Sequence, residues 1–377
     1  MPDEMPLCIL LLGASGVFGS RLAERLAPEP GIALTLAGRR RESLVMVRDR
    51  IGGGAIRILD RDWIEARDLA GYDMVIDAAG PFQNSGTRLV EAALEAGIDY
   101  VDLADGREWV VGFAERFDRR ARLAGVRLVT GASSIPALSH AVLDELTAGW
   151  QRIDTIRIGI FPGNRAPRGL SVVEAILSYA GKPFRVFRNG EWRDDWGWGR
   201  LHRTDAGPAG KRWASACDTP EQDLLVNRYK PSASAEFFAG MELSILHVGL
   251  WLLSLPVRGG WIRSLRPWSK PLLTVARWLL PFGTDKGAML VEATGIDGEG
   301  KPVAANWRLN ADGNRGPYVP VLAAVALARR WRDGGTLEAG ARACTEIIEL
   351  EEFDQDFGAL GIATQTAFTA PQGTRRP

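Results

Sequence analysis

The stretch that most constrains the fold is residues 7–19, with the sequence LCILLLGASGVFG. Leu7–Leu12 is an apolar run too short for a helix, and it predicts a strand buried on both faces. Three glycines follow with the spacing G-x-x-G-x-x-G: Gly13, Gly16 and Gly19. A helical pattern then runs from Val17 to Leu26. A strand, a glycine turn and a helix in this order are typical of a dinucleotide-binding unit.

Each glycine has a physical role in such a unit. Gly13 allows the tight turn, Gly16 lets the backbone approach a pyrophosphate, and Gly19 allows the helix to pack closely on the sheet. The helix N-terminus adds free N–H groups and a partial positive charge for the phosphates. A glycine turn without function is the alternative, and the flanking strand and helix favour the dinucleotide site.

The residues after the second predicted strand indicate which dinucleotide binds. Ile32–Ala37 reads as that strand, and Gly38, Arg39 and Arg40 follow it. An NAD site usually has an acid here for the ribose 2′-hydroxyl, whereas a guanidinium forms charge-assisted hydrogen bonds with a 2′-phosphate. The sequence therefore predicts NADP. The alternative is that the two arginines only begin a solvated helix.

The rest of the first 150 residues continues the alternation of strands and helices. Further strands are predicted at Ala55–Leu59, Met74–Ala78, Tyr100–Leu103 and Val126–Thr130. Helices are predicted at Gly86–Ala96, Val110–Ala124 and Leu138–Leu146. This order predicts an α/β fold with a Rossmann-type doubly wound parallel sheet, forming an NADP-binding domain over residues 1–148.

The chain changes character after Trp150. Ile153–Phe161 alternates like a strand, and the turn signals Asn189-Gly190 and Asp297–Gly300 each predict a hairpin. Residues 149–315 are therefore expected to form a second, α+β domain that contains an antiparallel sheet and serves substrate binding or dimerisation.

Several motifs resemble one known family. GASGVFG, LAGRR, VIDAAGPF, GIDYVDLADG and GASSIPALS are similar to the saccharopine dehydrogenase NADP-binding family, and RGPYVPVLAAVALARRW and GARACTEIIEL resemble the C-terminal part of such oxidoreductases. The resemblance implies an NADP(H)-dependent oxidoreductase that transfers a hydride to or from an unidentified small-molecule or lipid substrate. It also implies that a segment at about 316–370 packs back on the first domain.

The resemblance also implies where the cofactor binds. The pyrophosphate would lie on Gly13, Ser15, Gly16, Val17, Phe18 and Gly19. Arg39 and Arg40 would hold the 2′-phosphate, and Asp60 would lie beside the adenine. The ribose and nicotinamide would lie near Ala79, Gly80, Pro81 and Phe82.

Reduction of a carbonyl or imine also needs a proton donor. Candidates at the predicted strand ends are Asp105, Arg107, Glu108, Ser133 and Ser134, of which Asp105 and Ser134 are kept as catalytic candidates. Asp105-Gly106 also reads as an ordinary turn, and Ser133-Ser134 as a helix cap. His140 is predicted to lie on a helix face. No metal-ligand spacing is present, so no metal is expected.

Composition narrows the class of protein. The chain has 377 residues, with 46 Lys and Arg against 46 Asp and Glu, so no net field attracts nucleic acid. Three dispersed cysteines predict reduced thiols and a cytoplasmic protein. The apolar runs predict neither a signal peptide nor a spanning helix. The last seven residues are predicted to be disordered.

Residues 241–282 combine Trp251, Trp261, Trp268 and Trp278 with five basic residues. Basic and aromatic residues around apolar faces are what a membrane-surface helix needs. A lid over the substrate or a contact in a homodimer explains the same pattern and is the preferred interpretation, because a buried helix has the same apolar stripe. The functions left open are therefore a reductase, a peripheral membrane-surface NADP-binding protein and a non-catalytic NADP-binding scaffold.

Overall fold

The computed structural model describes residues 5–83, 85–335 and 337–369. Its strands, in chain order, are β1 (Leu7–Leu12), β2 (Ile32–Gly38), β3 (Ala55–Ile58), β4 (Met74–Asp77), β5 (Asp99–Asp102), β6 (Arg127–Thr130), β7 (Arg152–Phe161), β8 (Pro183–Arg188), β9 (Glu191–Trp196), β10 (Gly199–Asp205), β11 (Lys211–Ala216), β12 (Ser234–Ala239), β13 (Gly287–Ile296), β14 (Pro302–Ala311), β15 (Gly340–Ala343) and β16 (Ala363–Thr369). The predicted disordered residues 371–377, and Ala370 at the end of the predicted returning segment, lie outside the described residues.

The α-helices are α1 (Val17–Leu26), α2 (Arg41–Ile51), α3 (Arg88–Ala96), α4 (Arg107–Val111), α5 (Phe113–Ala124), α6 (Ser139–Leu146), α7 (Leu170–Tyr179), α8 (Glu221–Tyr229), α9 (Ser244–Arg258), α10 (Ser269–Trp278), α11 (Leu322–Arg332) and α12 (Asp354–Leu360). A π-helical turn, Ser134–Leu138, precedes α6. The helix predicted over Val110–Ala124 is two helices, because the chain leaves helical geometry at Gly112.

The first compact unit comprises Met1–Leu138, Pro167–Val172 and Pro317–Phe353. Within the described residues it contains a seven-stranded sheet in the order β15-β6-β5-β4-β1-β2-β3, with every pair parallel. The Rossmann-type doubly wound sheet predicted from the sequence is therefore confirmed. The chain moves outward from β1 to β3 and then returns to β4 on the other side of β1, and ligands of such sheets bind at the carboxyl ends where this reversal occurs.

The apolar run that begins the chain forms the centre of this sheet. Ile9, Leu10 and Leu11 are fully buried in β1, which pairs with β2 on one side and with β4 on the other. Strands flanked on both sides and covered on both faces need continuous apolar sequence, and β1 and β4 have it.

A late segment of the chain completes the first unit. β15 pairs with β6, and α11 is buried along almost its whole length. Trp331 of α11 donates a hydrogen bond of 2.6 Å from Nε1 to Asp99 Oδ2, and the Arg127 guanidinium lies 5.0 Å from the Trp331 ring centre.

The second compact unit comprises Ser139–Ala166, Val173–Gly316 and Asp354–Pro377. Its described residues form a nine-stranded sheet in the order β10-β11-β12-β7-β13-β14-β16, with β8 joining β12 to β9. Every pair is antiparallel except β7 with β12. Both predicted hairpins form, and the first turns at Asn189 and Gly190 with φ of 57° and 77°.

The boundaries of the units differ from the sequence prediction. The first break lies between Leu138 and Ser139, ten residues before the predicted one, because α6 packs on the second sheet. Residues 354–369 belong to the second unit, because β16 pairs with β14.

Candidate functional site

The glycine turn between β1 and α1 is tightly packed at two of its three glycines. Gly13 has a φ of +78°, and a Cβ there would lie 2.7 Å from the backbone nitrogen of Ala79. A Cβ on Gly19 would lie 2.1 Å from the carbonyl oxygen of Gly13. Gly16 is exposed and meets only that same oxygen, at 3.1 Å. Gly13 and Gly19 therefore serve the turn and the helix packing, whereas Gly16 keeps the outer side of the turn open.

The N-terminus of α1 faces this opening without a side-chain cap from the described residues. Gly16 occupies the N-cap position, and the first turn carries no acidic residue. The first N–H groups of a helix have no partner within the helix, so they and the helix dipole favour an anion here. Ser15, Val17 and Phe18 are half-buried around the turn.

Arg39 and Arg40 follow β2 directly. The N–H groups of Gly13 and Ala14 donate to the carbonyl oxygen of Ala37, at 2.9 and 3.2 Å, so the end of β2 is tied to the glycine turn. Both arginines are exposed, and neither forms an ion pair with a described residue. Two unpaired guanidinium groups beside an anion-binding turn fit a second phosphate.

Asp60 lies just past the end of β3 and is half-buried. Its Oδ1 accepts a hydrogen bond of 3.1 Å from the Asp62 N–H. The structure places it at the same edge of the sheet as the glycine turn, two strands from β1.

The loop after β4, residues 79–82, is held by a buried ion pair. Asp77 is fully buried; its Oδ1 accepts a 2.9 Å hydrogen bond from the Ala79 N–H, and its Oδ2 lies 2.9 Å from Arg61 Nη2. Arg61 also donates to the Ala79 carbonyl at 2.9 Å and lies 5.0 Å from the Phe82 ring centre. Burial raises the pKa of Asp77. Burial alone would lower the pKa of Arg61, but the Asp77 carboxylate raises it above its ordinary value.

A second buried carboxylate, Asp102, organises the ends of β5 and β6. Its oxygens accept hydrogen bonds of 2.8 to 2.9 Å from the Tyr100 hydroxyl, the Trp109 indole, the Thr130 hydroxyl and the N–H groups of Ala104 and Gly131. Burial and this carboxylate raise the pKa of Tyr100 well above its usual value, so the phenol stays a donor.

The proton-donor candidates lie at the ends of these two strands. Asp105 follows β5 and is exposed, and its Oδ1 accepts a 3.0 Å hydrogen bond from Gln83 Nε2. Surrounding protein atoms nevertheless desolvate the carboxylate and raise its pKa. Ser133 and Ser134 are buried after β6, and Ser134 begins the π-helical turn. Arg107 and Glu108 begin α4.

Sequence reasoning did not single out Arg61, Asp77 or Asp102. The two aspartates carried a signal, because each interrupts an apolar run that reads as a buried strand, and a buried carboxylate needs partners. Arg61 carried none, since an arginine after a strand also fits a solvated loop.

The histidines lie in the second unit. His140 lies on α6 and its side chain is fully buried, with Nε2 3.1 Å from Glu221 Oε2 and Nδ1 accepting from Arg228 at 3.2 Å. His247 is buried, with Nδ1 accepting from the Met241 N–H at 3.2 Å and Nε2 3.0 Å from Ser215 Oγ. Burial lowers the pKa of His247 to about 4. Since Nδ1 accepts rather than donates, this Ser–His pair lacks the arrangement of a nucleophilic triad.

Within the part of the chain that the structure describes, no group of three or more His, Cys, Asp or Glu side chains could hold a metal ion.

Comparison with known proteins identifies a family for part of this chain. Residues 9–129 match the saccharopine dehydrogenase NADP binding domain, which confirms the predicted resemblance and the predicted cofactor, NADP. A trans-acting enoyl reductase from Mycobacterium bovis is 32% identical over 151 residues, which cover 36% of this chain and 35% of that protein. A lipid droplet localized protein from Caenorhabditis elegans is 29% identical over 144 residues, 34% of each chain. The chain thus covers about a third of the length of these relatives.

A solved structure of a dehydrogenase has a similar fold over nearly the whole chain. The apo saccharopine dehydrogenase (L-Glu forming) from Saccharomyces cerevisiae has a TM-score of 0.65, covering 96% of this chain and 100% of that one at 14% identity. At this identity the match concerns the fold, and it includes both units.

Proposed function

We propose that this chain is an NADPH-dependent oxidoreductase related to the saccharopine dehydrogenases, whose NADP binding domain its residues 9–129 match, and that it acts on a small-molecule or lipid substrate. The proposal rests on the combination of three neighbouring features. The turn at Gly16 is open, the N-terminus of α1 has no side-chain cap from the described residues, and two arginines without ion pairs to described residues follow the adjacent strand β2. These features match the chemistry of a pyrophosphate and a separate 2′-phosphate.

In this proposal the backbone of Gly13, Ser15, Gly16, Val17, Phe18 and Gly19 holds the pyrophosphate. Arg39 and Arg40 bind the 2′-phosphate, and Asp60 lies beside the adenine. Ala79, Gly80, Pro81 and Phe82 form the wall for the ribose and nicotinamide, and the Arg61–Asp77 pair fixes the position of that wall.

When bound, NADPH supplies the hydride. The residues of this chain therefore have to bind the cofactor and the substrate, orient them, and donate a proton. Asp105 is the proposed proton donor, because desolvation raises its pKa and it follows β5 at the ligand-binding edge of the sheet. Ser134 is the second candidate, and its burial makes it the poorer donor to a substrate.

The names of the relatives suggest a substrate class. The enoyl reductase similarity leads us to propose a carbon–carbon double bond conjugated to a carbonyl as the acceptor. Hydride addition to such a bond leaves an enolate carbon that takes up a proton, which is the role assigned to Asp105. The lipid droplet localized relative is consistent with an acyl substrate.

The test is cofactor titration followed by a substrate panel. Arg39→Ala with Arg40→Ala should weaken NADPH binding by roughly ten- to several-hundredfold, as expected for lost charge-assisted contacts, and should change NADH binding little. Arg67→Ala with Arg119→Ala, on exposed arginines elsewhere in the same unit, is the matched control. NADPH oxidation is then followed with 2-enoyl thioesters, ketones and imines. Preference of the wild type for NADH, or equal losses in both double variants, would contradict the cofactor site.

A further inference from the structure

Residues 241–282, here called the basic aromatic segment, form α9, a 3-10 turn at Arg266–Trp268, α10 and a 3-10 turn at Leu280–Phe282. The segment is firmly seated on the second unit. Asn164 Nδ2 donates to the Leu279 carbonyl at 2.7 Å, and Ser264 Oγ donates to the Leu177 carbonyl at 3.4 Å. Its exposed side chains are therefore presented from a folded base.

Helix α9 is apolar on both faces. Its buried face repeats every three or four residues, at His247, Leu250, Ser254 and Val257. The opposite side carries Ile245 and Leu252, which are 70% and 53% exposed, and the helix has one charged residue, Arg258, at its end. A helix with one buried face normally carries polar residues on the opposite face. The exposed apolar face of α9 therefore indicates that another molecule binds there.

Large aromatic side chains continue this apolar surface along the segment. Trp261, Trp268, Trp278 and Phe282 are 85%, 59%, 72% and 74% exposed, and Trp251 is half-buried. A lid, one of the two preferred sequence interpretations, requires tryptophans buried within the chain, and Trp261, Trp268 and Trp278 are exposed. A dimer contact would bury them only against a second copy of the chain. Exposed apolar surface bordered by polar residues marks an interaction site.

The charges of the segment are mainly basic. Residues 241–282 contain five basic residues and one acidic residue, Glu242, whose carboxylate accepts hydrogen bonds from the N–H groups of Asn164 and Thr284, whereas the whole chain has equal numbers of both signs. All five are exposed: Arg258, Arg263, Arg266, Lys270 and Arg277. On α10, Lys270, Thr274 and Arg277 share one strip of the helix, and Pro271, Val275 and Trp278 share the adjacent strip.

We propose that the basic aromatic segment is a docking face for the surface of an anionic phospholipid bilayer. Tryptophan rings prefer the headgroup region, where the ring is partly dry and the N–H stays wet, and arginine and lysine beside an apolar face attract anionic lipids. No helix among the described residues is long and apolar enough to cross a bilayer, which agrees with contact at the surface only.

A second copy of the chain fits this face less well. A two-fold dimer brings the same patch of each subunit together, so five basic groups would meet five basic groups, and like charges in an interface are costly. The proposal does not depend on the reductase activity, because it concerns residues of the second unit.

The test uses the full-length protein and vesicle flotation. The wild type should float with vesicles of phosphatidylcholine and phosphatidylglycerol and far less with phosphatidylcholine alone, and salt should weaken binding. Replacing Trp261, Trp268 and Trp278 with Ser, or Arg263, Arg266 and Lys270 with Gln, should each lower partitioning on the order of tenfold or more. Circular dichroism and NADPH titration check that the variants fold.

Matched controls come from exposed residues elsewhere. Trp63→Ser removes a tryptophan that is 79% exposed in the first unit and should leave flotation unchanged, as should Gln at Arg67, Arg119 and Lys301. If the segment variants misfold, quenching of wild-type tryptophan fluorescence by brominated lipids decides, and quenching supports the proposal. The proposal would be overturned if the wild type neither floats nor shows quenched fluorescence, or if the tryptophan variant binds vesicles as well as the wild type. It would also be overturned if the wild type is a dimer that the tryptophan variant disrupts.

Discussion

At the scale of single residues, the end of β4 depends on one guanidinium group meeting one buried carboxylate. Arg61 contacts Asp77, the Ala79 carbonyl and the Phe82 ring. Removing one partner of a buried pair leaves an uncompensated charge, so the loop at residues 79–82 keeps its position only while both are present. The side chains proposed to face the nicotinamide are thus positioned by residues that need not touch it.

Asp105→Asn should lower kcat on the order of a hundredfold and leave the affinity for NADPH unchanged, because it removes a proton donor and not a cofactor contact. The donor works only when protonated, and desolvation raises its pKa. Wild-type activity should therefore fall as pH rises through that raised pKa, and the variant should lack this limb of the profile. Glu115→Gln, at an exposed position of α5, is the control, and an unchanged kcat in Asp105→Asn would remove Asp105 from the mechanism.

His247 should make the second unit less stable in acid. Burial lowers its pKa from 6.5 to about 4. The imidazole therefore takes up a proton below pH 6.5 in the unfolded chain and only below about pH 4 in the folded chain. The free energy of unfolding is therefore highest above pH 6.5 and falls by about 3 kcal/mol in total as the pH is lowered from 6.5 to about 4.

Urea unfolding of wild type and His247→Gln, from neutral pH down toward pH 4, checks this expectation. The free-energy difference between the two should shrink as pH falls. Ser215→Ala removes the hydrogen-bond partner of Nε2 and keeps the titrating ring, so its pH dependence should follow the wild type. Parallel pH curves for wild type and His247→Gln would show that another group titrates.

At the scale of elements, the glycines of the turn between β1 and α1 have different roles, because Gly19 serves packing and Gly16 is proposed to serve cofactor binding. Gly19→Ala should destabilise the first unit by about 3 kcal/mol or more, because its Cβ would lie 2.1 Å from the Gly13 carbonyl oxygen. Gly16 has a φ of −74° and a ψ of 174°, which other residues adopt, so Gly16→Val should stay folded and lose NADPH binding. Thermal unfolding and NADPH titration measure the two effects.

Gly358→Ala is the control for backbone chemistry alone, because a Cβ there meets no described atom within 4 Å. It should leave cofactor affinity unchanged and should raise the free energy of unfolding by up to about 1 kcal/mol, because alanine is preferred over glycine inside a helix such as α12. If Gly16→Val binds NADPH as tightly as the wild type, the pyrophosphate does not lie at this turn.

The elements with strong apolar runs could be predicted from the sequence, and the others could not. Strands β1 to β6 were predicted within one or two residues, because each combines an apolar run with a turn signal. β15, with the sequence GARA, has no such run, and it forms because β6 and α5 surround it. β10 and β11 contain several charged residues and no apolar run, and β16 is Thr-rich and exposed, so none shows a buried-strand pattern.

The candidate site divides in the same way. The glycines and arginines are predicted from the sequence because phosphate binding needs those residue types at that spacing, and their contact with a cofactor stays a prediction. The sequence does not predict the role of Arg61 or the exposure of Trp261, Trp268 and Trp278. Both depend on which residues lie nearby in the folded chain, and the local sequence does not contain that information.

At the scale of the whole molecule, the first unit depends on residues far along the chain. Trp331→Ala should destabilise it by about 3 to 5 kcal/mol, because the ring is 8% exposed and its indole binds Asp99. The thermal midpoint measured in the presence of NADPH should fall accordingly. Trp63→Ala, at a ring 79% exposed, should change stability by less than about 0.5 kcal/mol. Equal effects of both substitutions would mean that the returning segment contributes little.

The late position of β15 also has a consequence for the newborn chain. A ribosome completes residues 139–316 before it reaches the segment that pairs with β6, and at ordinary translation rates this interval lasts roughly ten to forty seconds. During this interval β6 has an open parallel edge, which is a site for pairing with other chains. We expect a nascent chain to begin to bind NADPH only after Ala343 has left the exit tunnel, because the first sheet is complete only when β15 has paired with β6.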